Sequence, residues 1–324
     1  MRLPSMPPPA VPGRLERWFF PLILAALTLA AVTAPQMGVD RLLGVSPATG
    51  DSIVLAAAIA IFWPLIALAE RRRPERPEWN RPHRDLGADV LHLFFSGTLA
   101  QVVFQITLGA LALAAGVGIS ERWGWSLWPS QAPIALQLVL ALAVAELGHY
   151  WFHRLSHENA LVWRLHATHH SARRLYWLNA TRFHWLDVFS LIALQSTPLL
   201  LLGAGREALV PYAVFTAVYG QLQHMNVRVH APALDWIFST PGLHRWHHST
   251  DPREGNRNYG AVLILWDRIF GTVFRPVDRK FDADLGIASM PEFPTSYLAQ
   301  QLSPLNWSRI EASGPTAVES PLSP

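Results

Sequence analysis

Long apolar stretches constrain this chain more than any other feature. Four of them have the length and composition of helices that cross the hydrocarbon core of a bilayer: residues 18–34, 52–69, 90–118 and 132–152. A helix satisfies all of its backbone hydrogen bonds within itself, as the inside of a membrane requires. We therefore predict an all-α fold, a polytopic bundle of membrane helices.

The first stretch, 18–34, also has the length of a signal-peptide core. Its Pro-rich leader and the later spans favour a membrane helix instead. Two further stretches, 188–202 and 208–222, are short for a full crossing and predict a helical hairpin whose two ends return to the same side.

The composition agrees with a surface that faces lipid. Charged residues make up 15% of the chain and hydrophobic residues 51%, whereas soluble domains carry about 25% charged residues. The apolar content excludes a disordered chain, and the absence of cysteine excludes thiolate metal sites and cysteine nucleophiles. The net charge of only +3, with arginines beside apolar stretches, predicts no nucleic-acid partner.

Arginine placement predicts the orientation. The segment 71–84 follows the second span and is rich in arginine, so the positive-inside rule places it in the cytoplasm. Every histidine-rich segment then lies on the same side. We predict a multi-pass protein of the bacterial inner membrane with its active site on the cytoplasmic side.

The chain has 14 histidines, and most of them lie in two stretches. The sequence contains one H-x-x-x-H element and two H-x-x-H-H elements: His149 and His153, then His166, His169 and His170, then His244, His247 and His248. Residues i, i+3 and i+4 share one face of a helix, so each element can direct its imidazoles at one point. Imidazole is a common ligand for Zn, Fe, Cu and Ni. Polar residues at helix ends are the alternative explanation, but the repeated spacing favours a metal site.

These elements, with His224, His184 and the segments 258–260 and 265–272, resemble the fatty acid hydroxylase (sterol desaturase) superfamily over about residues 85–275. The resemblance implies an integral-membrane, non-haem di-metal oxidoreductase with a His-rich cytoplasmic cap. It implies that ten residues are both catalytic and metal-binding: His149, His153, His166, His169, His170, His184, His224, His244, His247 and His248. His157 and His230 belong to none of the motifs, and their contact with metal stays open.

The resemblance also implies the cofactors and partners. Two iron ions, replaceable by zinc in isolated protein, would use dioxygen as co-substrate to hydroxylate or desaturate a C–H bond of a fatty acyl, sterol or ether lipid. The sequence contains no G-x-G-x-x-G element, so an external electron donor is expected: a ferredoxin, cytochrome b5 or a reductase. Four polar residues are candidates to orient the imidazoles: Glu146, Asp187, Asn226 and Asp267.

The chain is accordingly divided into four parts: a disordered N-terminal arm (1–17), two membrane helices with an Arg-rich cytoplasmic loop (18–84), a catalytic domain (85–275), and a C-terminal extension (276–324) that is disordered towards its end.

Two other function classes use the same histidines. A zinc-dependent membrane hydrolase acting on a lipid would activate water on the metal and would work without oxygen. A metal transporter would need ligands near the middle of the bilayer, whereas the motifs lie at the ends of the spans. The hydrolase is therefore the main alternative.

Overall fold

The structure is a computed structural model that describes residues 13–124, 127–276 and 279–314. Within these ranges the regular structure is helical, and the extended pairing is limited to three isolated bridges: Pro74 with Val227, Phe238 with Leu263, and Ser249 with Leu285. The predicted all-α fold is confirmed.

The first helices form a hairpin at the N-terminal end. Helix α1 (Arg14–Thr33) and helix α3 (Pro47–Arg72) are joined by the short helix α2 (Val39–Leu43). The predicted disordered arm is too long, because α1 begins at Arg14 and the Glu16 carboxylate caps it by accepting a hydrogen bond from the Gly13 amide. Residues 1–12 of that arm lie outside the described residues.

A long, irregular helix follows. Helices α4 (Leu86–Leu91), α5 (Gly97–Phe104) and α6 (Ala110–Trp123) are continuous with each other through two π-helical turns, His92–Ser96 and Gln105–Gly109. The longer segment Leu86–Trp123 extends the predicted third span at both ends.

Helix α7 (Ile134–Glu158) and helix α8 (Ala160–His170) carry the first two histidine motifs. Asn159 ends α7 and caps α8, because its side-chain oxygen accepts hydrogen bonds from the amides of Leu161 and Val162. This single-residue junction lets the chain turn sharply, so α8 folds back against the end of α7.

Helices α9 (Trp185–Leu201) and α10 (Arg206–His224) form the predicted hairpin. The α9 backbone lies against α7 so closely that a Cβ atom at Gly148 would be 2.2 Å from the Leu194 carbonyl oxygen. Small residues allow this approach between membrane helices. Both open ends of the hairpin lie together, because Asn179, shortly before α9, bonds to His224 at the end of α10.

The remaining helices are short: α11 (Pro241–His247), α12 (Pro252–Gly255), α13 (Leu265–Phe270), α14 (Tyr297–Gln301) and α15 (Trp307–Ala312). Single 3-10 turns occur at Ala34–Gln36, Pro77–Asn80, Trp177–Thr181, Leu234–Trp236 and Ser303–Asn306. In the C-terminal extension, 277–278 and 315–324 lie outside the described residues.

Four helical segments are long and apolar enough to cross a membrane: Arg14–Gln36, Pro47–Arg72, Leu86–Trp123 and Ile134–Glu158. Large apolar side chains on them face outward, such as Leu22 and Ile106. These segments contain the first three predicted spans, and the fourth begins at Ile134 instead of residue 132 and continues beyond residue 152 to Glu158. The largest buried cluster joins α1, α3, α7 and α10 through Phe20, Phe62, Leu138 and Phe215, so α7 and α10, which both carry histidines, pack against the first two spanning helices.

Candidate metal centre

Five histidine side chains each bring one ring nitrogen to a common point, and together they form the first histidine group. One nitrogen from each lies within 4.8 Å of the others, and all five side chains are buried. The members of this first histidine group are His153 and His157 from α7, His166 and His170 from α8, and His247 from α11. All five Nε2 atoms are without a hydrogen-bond partner among the described residues.

The other ring nitrogen fixes the tautomer in four of these five rings. Each Nδ1–H donates to an oxygen: His153 to the Tyr259 carbonyl (2.6 Å), His157 to Asn256 Oδ1 (3.0 Å), His166 to Asp187 Oδ2 (2.9 Å) and His247 to the Arg257 carbonyl (2.7 Å). A neutral imidazole with its proton on Nδ1 carries a lone pair on Nε2. The lone pairs of this group are therefore directed at one another.

The second histidine group contains His169, His224, His244 and His248, again with one nitrogen from each within 4.8 Å of the others. His224 donates its Nδ1–H to Asn179 Oδ1 (3.1 Å), so its Nε2 carries the lone pair. That Nε2 lies 2.8 Å from Nε2 of His244, which lies 3.0 Å from Nε2 of His248.

Each H-x-x-H-H element contributes to both groups. On α8, His166 and His170 enter the first group while His169 enters the second. On α11 the division is reversed, because His247 enters the first group and His244 the second. The two groups are consequently neighbours, and the rings of His170 and His248 stack across them with centroids 4.4 Å apart.

The loop 258–263 positions the acceptor for His153. Asn258 has a left-handed backbone, with φ of 56°, and its side chain bonds to the Phe274 backbone. The Asp267 carboxylate accepts hydrogen bonds from the amides of Tyr259 and Gly260, both at 2.8 Å. This loop, held from several sides, places the Tyr259 carbonyl against the His153 ring.

A buried ion-pair network supports the second group. His169 Nδ1 lies 3.2 Å from the Arg182 carbonyl oxygen, and the Arg182 guanidinium binds Asp85 and Asp89. Burial opposes ionisation of Asp85, but Arg174 and Arg182 outweigh it and lower the pKa of this carboxyl to about 2. Asp85 therefore stays ionised at neutral pH and keeps its ion pairs with the two arginines.

Five buried histidines outside the spanning segments have a depressed pKa and are therefore neutral at neutral pH. Burial, and then repulsion from neighbouring imidazoles, holds their pKa well below the ordinary value: this applies to His169, His170, His244, His247 and His248. Neutral imidazole is the form that binds metals.

Two cavities reach the histidines. The hairpin cavity, about 300 Å³, lies between α7, α9 and α10 and contacts histidines of both groups, with Val188, Leu191 and Ile192 among its walls. The loop cavity, about 240 Å³, contacts His157, His170 and His247. Different rings of the first group thus face different cavities.

The donor set fits bound metal ions. A buried ring nitrogen without a partner costs free energy, and five such atoms directed at one point would be unfavourable unless a cation satisfied them. The separations of 2.8 and 3.0 Å in the second group suit adjacent nitrogens that bind one ion at about 2.0–2.1 Å.

Comparisons with known proteins agree with this geometry. A family model described as fatty acid hydroxylase matches residues 138–272. The chain is 39% identical to an ornithine lipid hydroxylase of Rhizobium tropici, over 79% of this chain and 75% of that protein. The chain belongs to the fatty acid hydroxylase family.

Two further relatives match a smaller part of the chain. Alkylglycerol monooxygenases from Danio rerio and Homo sapiens are each 34% identical, over 44% and 39% of this chain. The matches span 31% and 28% of those proteins. No solved structure matches the chain. Family membership confirms the predicted class, an oxidoreductase that acts on lipids.

Eight of the ten histidines predicted for this family member enter the two groups, and two do not. His184 has both ring nitrogens occupied, because Nδ1 accepts from the Leu186 amide and Nε2 donates to the Gln301 carbonyl. It caps helix α9 instead. His149 bonds through Nδ1 to Gln195 and lies one turn before the pair that α7 contributes.

His157 belongs to none of the sequence motifs but enters the first histidine group. It lies four residues after His153, on the same face of α7, and its side chain is buried in the first group. The i, i+4 spacing was the available signal. His230 is exposed and lies in neither group.

Of the four residues expected to orient imidazoles, only Asp187 bonds directly to a ring. The Glu146 and Asp267 carboxylates hold the backbone of the 258–263 loop, and Asn226 bonds to the backbone of Arg76. The groups that accept hydrogen bonds from the imidazole rings in their place are mostly backbone carbonyls.

Proposed function

We propose that this protein is an oxygen-dependent lipid hydroxylase with one iron ion in each histidine group. The supporting observation is the set of five buried Nε2 atoms that have no hydrogen-bond partner in the described part of the chain, next to a second group of four histidines. The proposed ligands are His153, His157, His166, His170 and His247 for one ion, and His169, His224, His244 and His248 for the other.

Imidazole-bound iron supplies the binding and reduction of dioxygen that oxidation of an unactivated C–H bond requires. One oxygen atom enters the C–H bond, and the other leaves as water with two electrons and two protons from outside. A ferredoxin, cytochrome b5 or a reductase is the proposed electron donor. The chain itself orients the imidazoles through Asp187 and the Tyr259 carbonyl, and its apolar walls hold the lipid and exclude water.

The hairpin cavity is the proposed lipid site. Its walls come from α7, α9 and α10. Helix α9 packs against α5 and α6, and α10 packs against α1 and α3, which belong to the candidate spanning segments, so we propose that the lipid enters sideways from the bilayer. Ornithine lipid is the first substrate to test, because an ornithine lipid hydroxylase is 39% identical over 79% of this chain. Alkylglycerol is the second.

We propose that the site faces the cytoplasm of a bacterium. The Arg-rich segment lies beside the histidines, because the Arg76 backbone bonds to Asn226, two residues after His224. The positive-inside rule assigns such a segment to the cytoplasm. We also propose that the catalytic unit covers 85–275 and is closed by the extension, where Gln300 and Gln301 bond to His92 and His184.

The test uses full-length protein loaded with iron. We expect about two iron ions per chain, and oxygen consumption that requires both reductant and lipid. The lipid product should be heavier by one oxygen atom in mass spectrometry. Activity that survives strict exclusion of oxygen would support the zinc hydrolase instead. Stoichiometric iron without oxygen uptake on either lipid would contradict the proposal.

A matched pair of variants tests the ligand assignment. His157→Ala removes one of the five nitrogens of the first group, so we expect the iron content to fall from about two ions to about one. His230→Ala, at an exposed position, should keep the wild-type content. Equal iron content in both variants would remove His157 from the ligand set.

A further inference from the structure

His149 lies beside both histidine groups but belongs to neither. Its ring centroid is 5.3 Å from that of His153, and its side chain is buried except where it lines the hairpin cavity. Its position, one helical turn before His153, directs it towards the space where the lipid is proposed to bind.

A hydrogen-bond chain from three helices fixes the His149 tautomer. Tyr212 of α10 donates to Gln195 Oε1 on α9 (3.4 Å), so the amide nitrogen of Gln195 faces His149 Nδ1 (2.8 Å). A donor opposite Nδ1 makes that nitrogen an acceptor and leaves the ring proton on Nε2. In the described part of the chain, Nε2 of His149 has no hydrogen-bond partner.

The cavity is also lined by polar side chains that belong to neither histidine group, and these side chains make hydrogen bonds within the protein. Glu146 accepts hydrogen bonds from the amides of the 258–263 loop, and Thr216 donates to the Tyr212 carbonyl. Gln223 donates to Ser239 and to the Gly260 carbonyl. The Nε2–H of His149 is therefore a free donor within a largely apolar space.

We propose that His149 is a positioning residue that donates a hydrogen bond from Nε2 to an oxygen of the lipid, a carbonyl, hydroxyl or ether oxygen next to the carbon that is oxidised. A few polar groups in an apolar pocket fix the orientation of a ligand. This single contact would set which C–H bond faces the two groups. The inference rests on the proposed function, because it assigns the lipid to the hairpin cavity.

The experiment compares wild type with His149→Leu and His149→Gln, all full-length, iron-loaded and kept anaerobic during binding. The probe is ornithine lipid in detergent micelles. We expect His149→Leu to raise the dissociation constant about 3- to 10-fold and, once oxygen and a reductant are added, to spread the new hydroxyl over neighbouring carbons. His149→Gln keeps an amide donor near Nε2 and should restore most of the affinity and one product.

Two controls separate the outcomes. Hexadecane, which has no hydrogen-bond acceptor, should bind all three proteins equally. Iron content should stay at the wild-type level in both variants; a loss like that of His157→Ala would make His149 a tenth ligand and overturn the inference. Unchanged affinity and an unchanged product position in His149→Leu would also overturn the inference. The proposed function would still hold in that case, provided that the wild type hydroxylates the lipid. If wild type oxidises neither lipid, the proposed function fails and the inference fails with it.

Discussion

Replacing Gly260 by alanine tests how the loop 258–263 holds the metal centre. A Cβ atom there would lie 2.1 Å from the Leu263 carbonyl oxygen. Ordinary contact, at about 3.4 Å, requires a shift of about 1.3 Å, which would break the 2.8 Å bonds from Tyr259 and Gly260 to Asp267. Each buried group left unpaired costs about 1–3 kcal/mol, so we expect the free energy of unfolding to fall by about 2–6 kcal/mol.

The assay combines thermal unfolding in detergent with iron analysis. Iron should be lost mainly from the first group, because the displaced Tyr259 carbonyl no longer accepts from His153. Gly97→Ala is the matched control, since no atom lies within 4 Å of the added Cβ atom, and alanine in a helix should leave stability unchanged or higher. Wild-type unfolding and iron content in Gly260→Ala would refute the reasoning.

Three other changes have definite expected results. Asp187→Leu removes the acceptor of the His166 Nδ1–H, so iron affinity in chelator competition should fall about 10- to 100-fold; unchanged affinity would show that Asp187 does not orient the ring. The depressed pKa of buried histidines such as His169 and His247 means that, as the pH falls below about 6.5, the unfolded chain takes up protons first. Denaturant titrations of metal-free protein should therefore show unfolding free energy decreasing below this pH, by up to about 1.4 kcal/mol per pH unit and group, and a pH-independent value would be inconsistent with neutral buried rings. Gly220 lines the hairpin cavity with open space beside it, so Gly220→Leu should favour shorter acyl chains in a mixed-lipid competition, and an unaltered preference would place the chain elsewhere.

The membrane helices were predictable because their signal is local. A run of apolar residues specifies a spanning helix without reference to the rest of the fold, and each of the four predicted stretches overlaps one of the segments Arg14–Gln36, Pro47–Arg72, Leu86–Trp123 and Ile134–Glu158. Their ends were less predictable. Helix α1 continues to Arg14 because polar side chains can occupy an exposed first turn.

The choice of histidines on α7 was not predictable from spacing. His149, His153 and His157 are each four residues apart and share one helical face. The pair that enters the first group depends on where α8 folds back after Asn159 and where α11 packs, and both are tertiary features. The spacing identifies three histidines on one face of α7. The packing of α8 and α11 then determines which two of them enter the first histidine group.

The acceptors behind the rings were missed for a related reason. The backbone carbonyls of Tyr259, Arg257 and Arg182 accept hydrogen bonds from the Nδ1–H groups of the histidine rings. Their partners are His153, His247 and His169, respectively. A backbone carbonyl belongs to every residue and leaves no trace in a sequence. Asp187 was identifiable because a carboxylate side chain supplies its acceptor.

The division of adjacent histidines between the two groups has a mechanical consequence. His169 and His170 are attached to consecutive backbone units, as are His247 and His248, and each pair reaches both groups. Any rotation of α8 or α11 that tightens one site necessarily disturbs the other. The two sites therefore form a single geometric unit. A helix movement that adapts one site to an ion of different size must be accompanied by a change in the ligand positions of the other site.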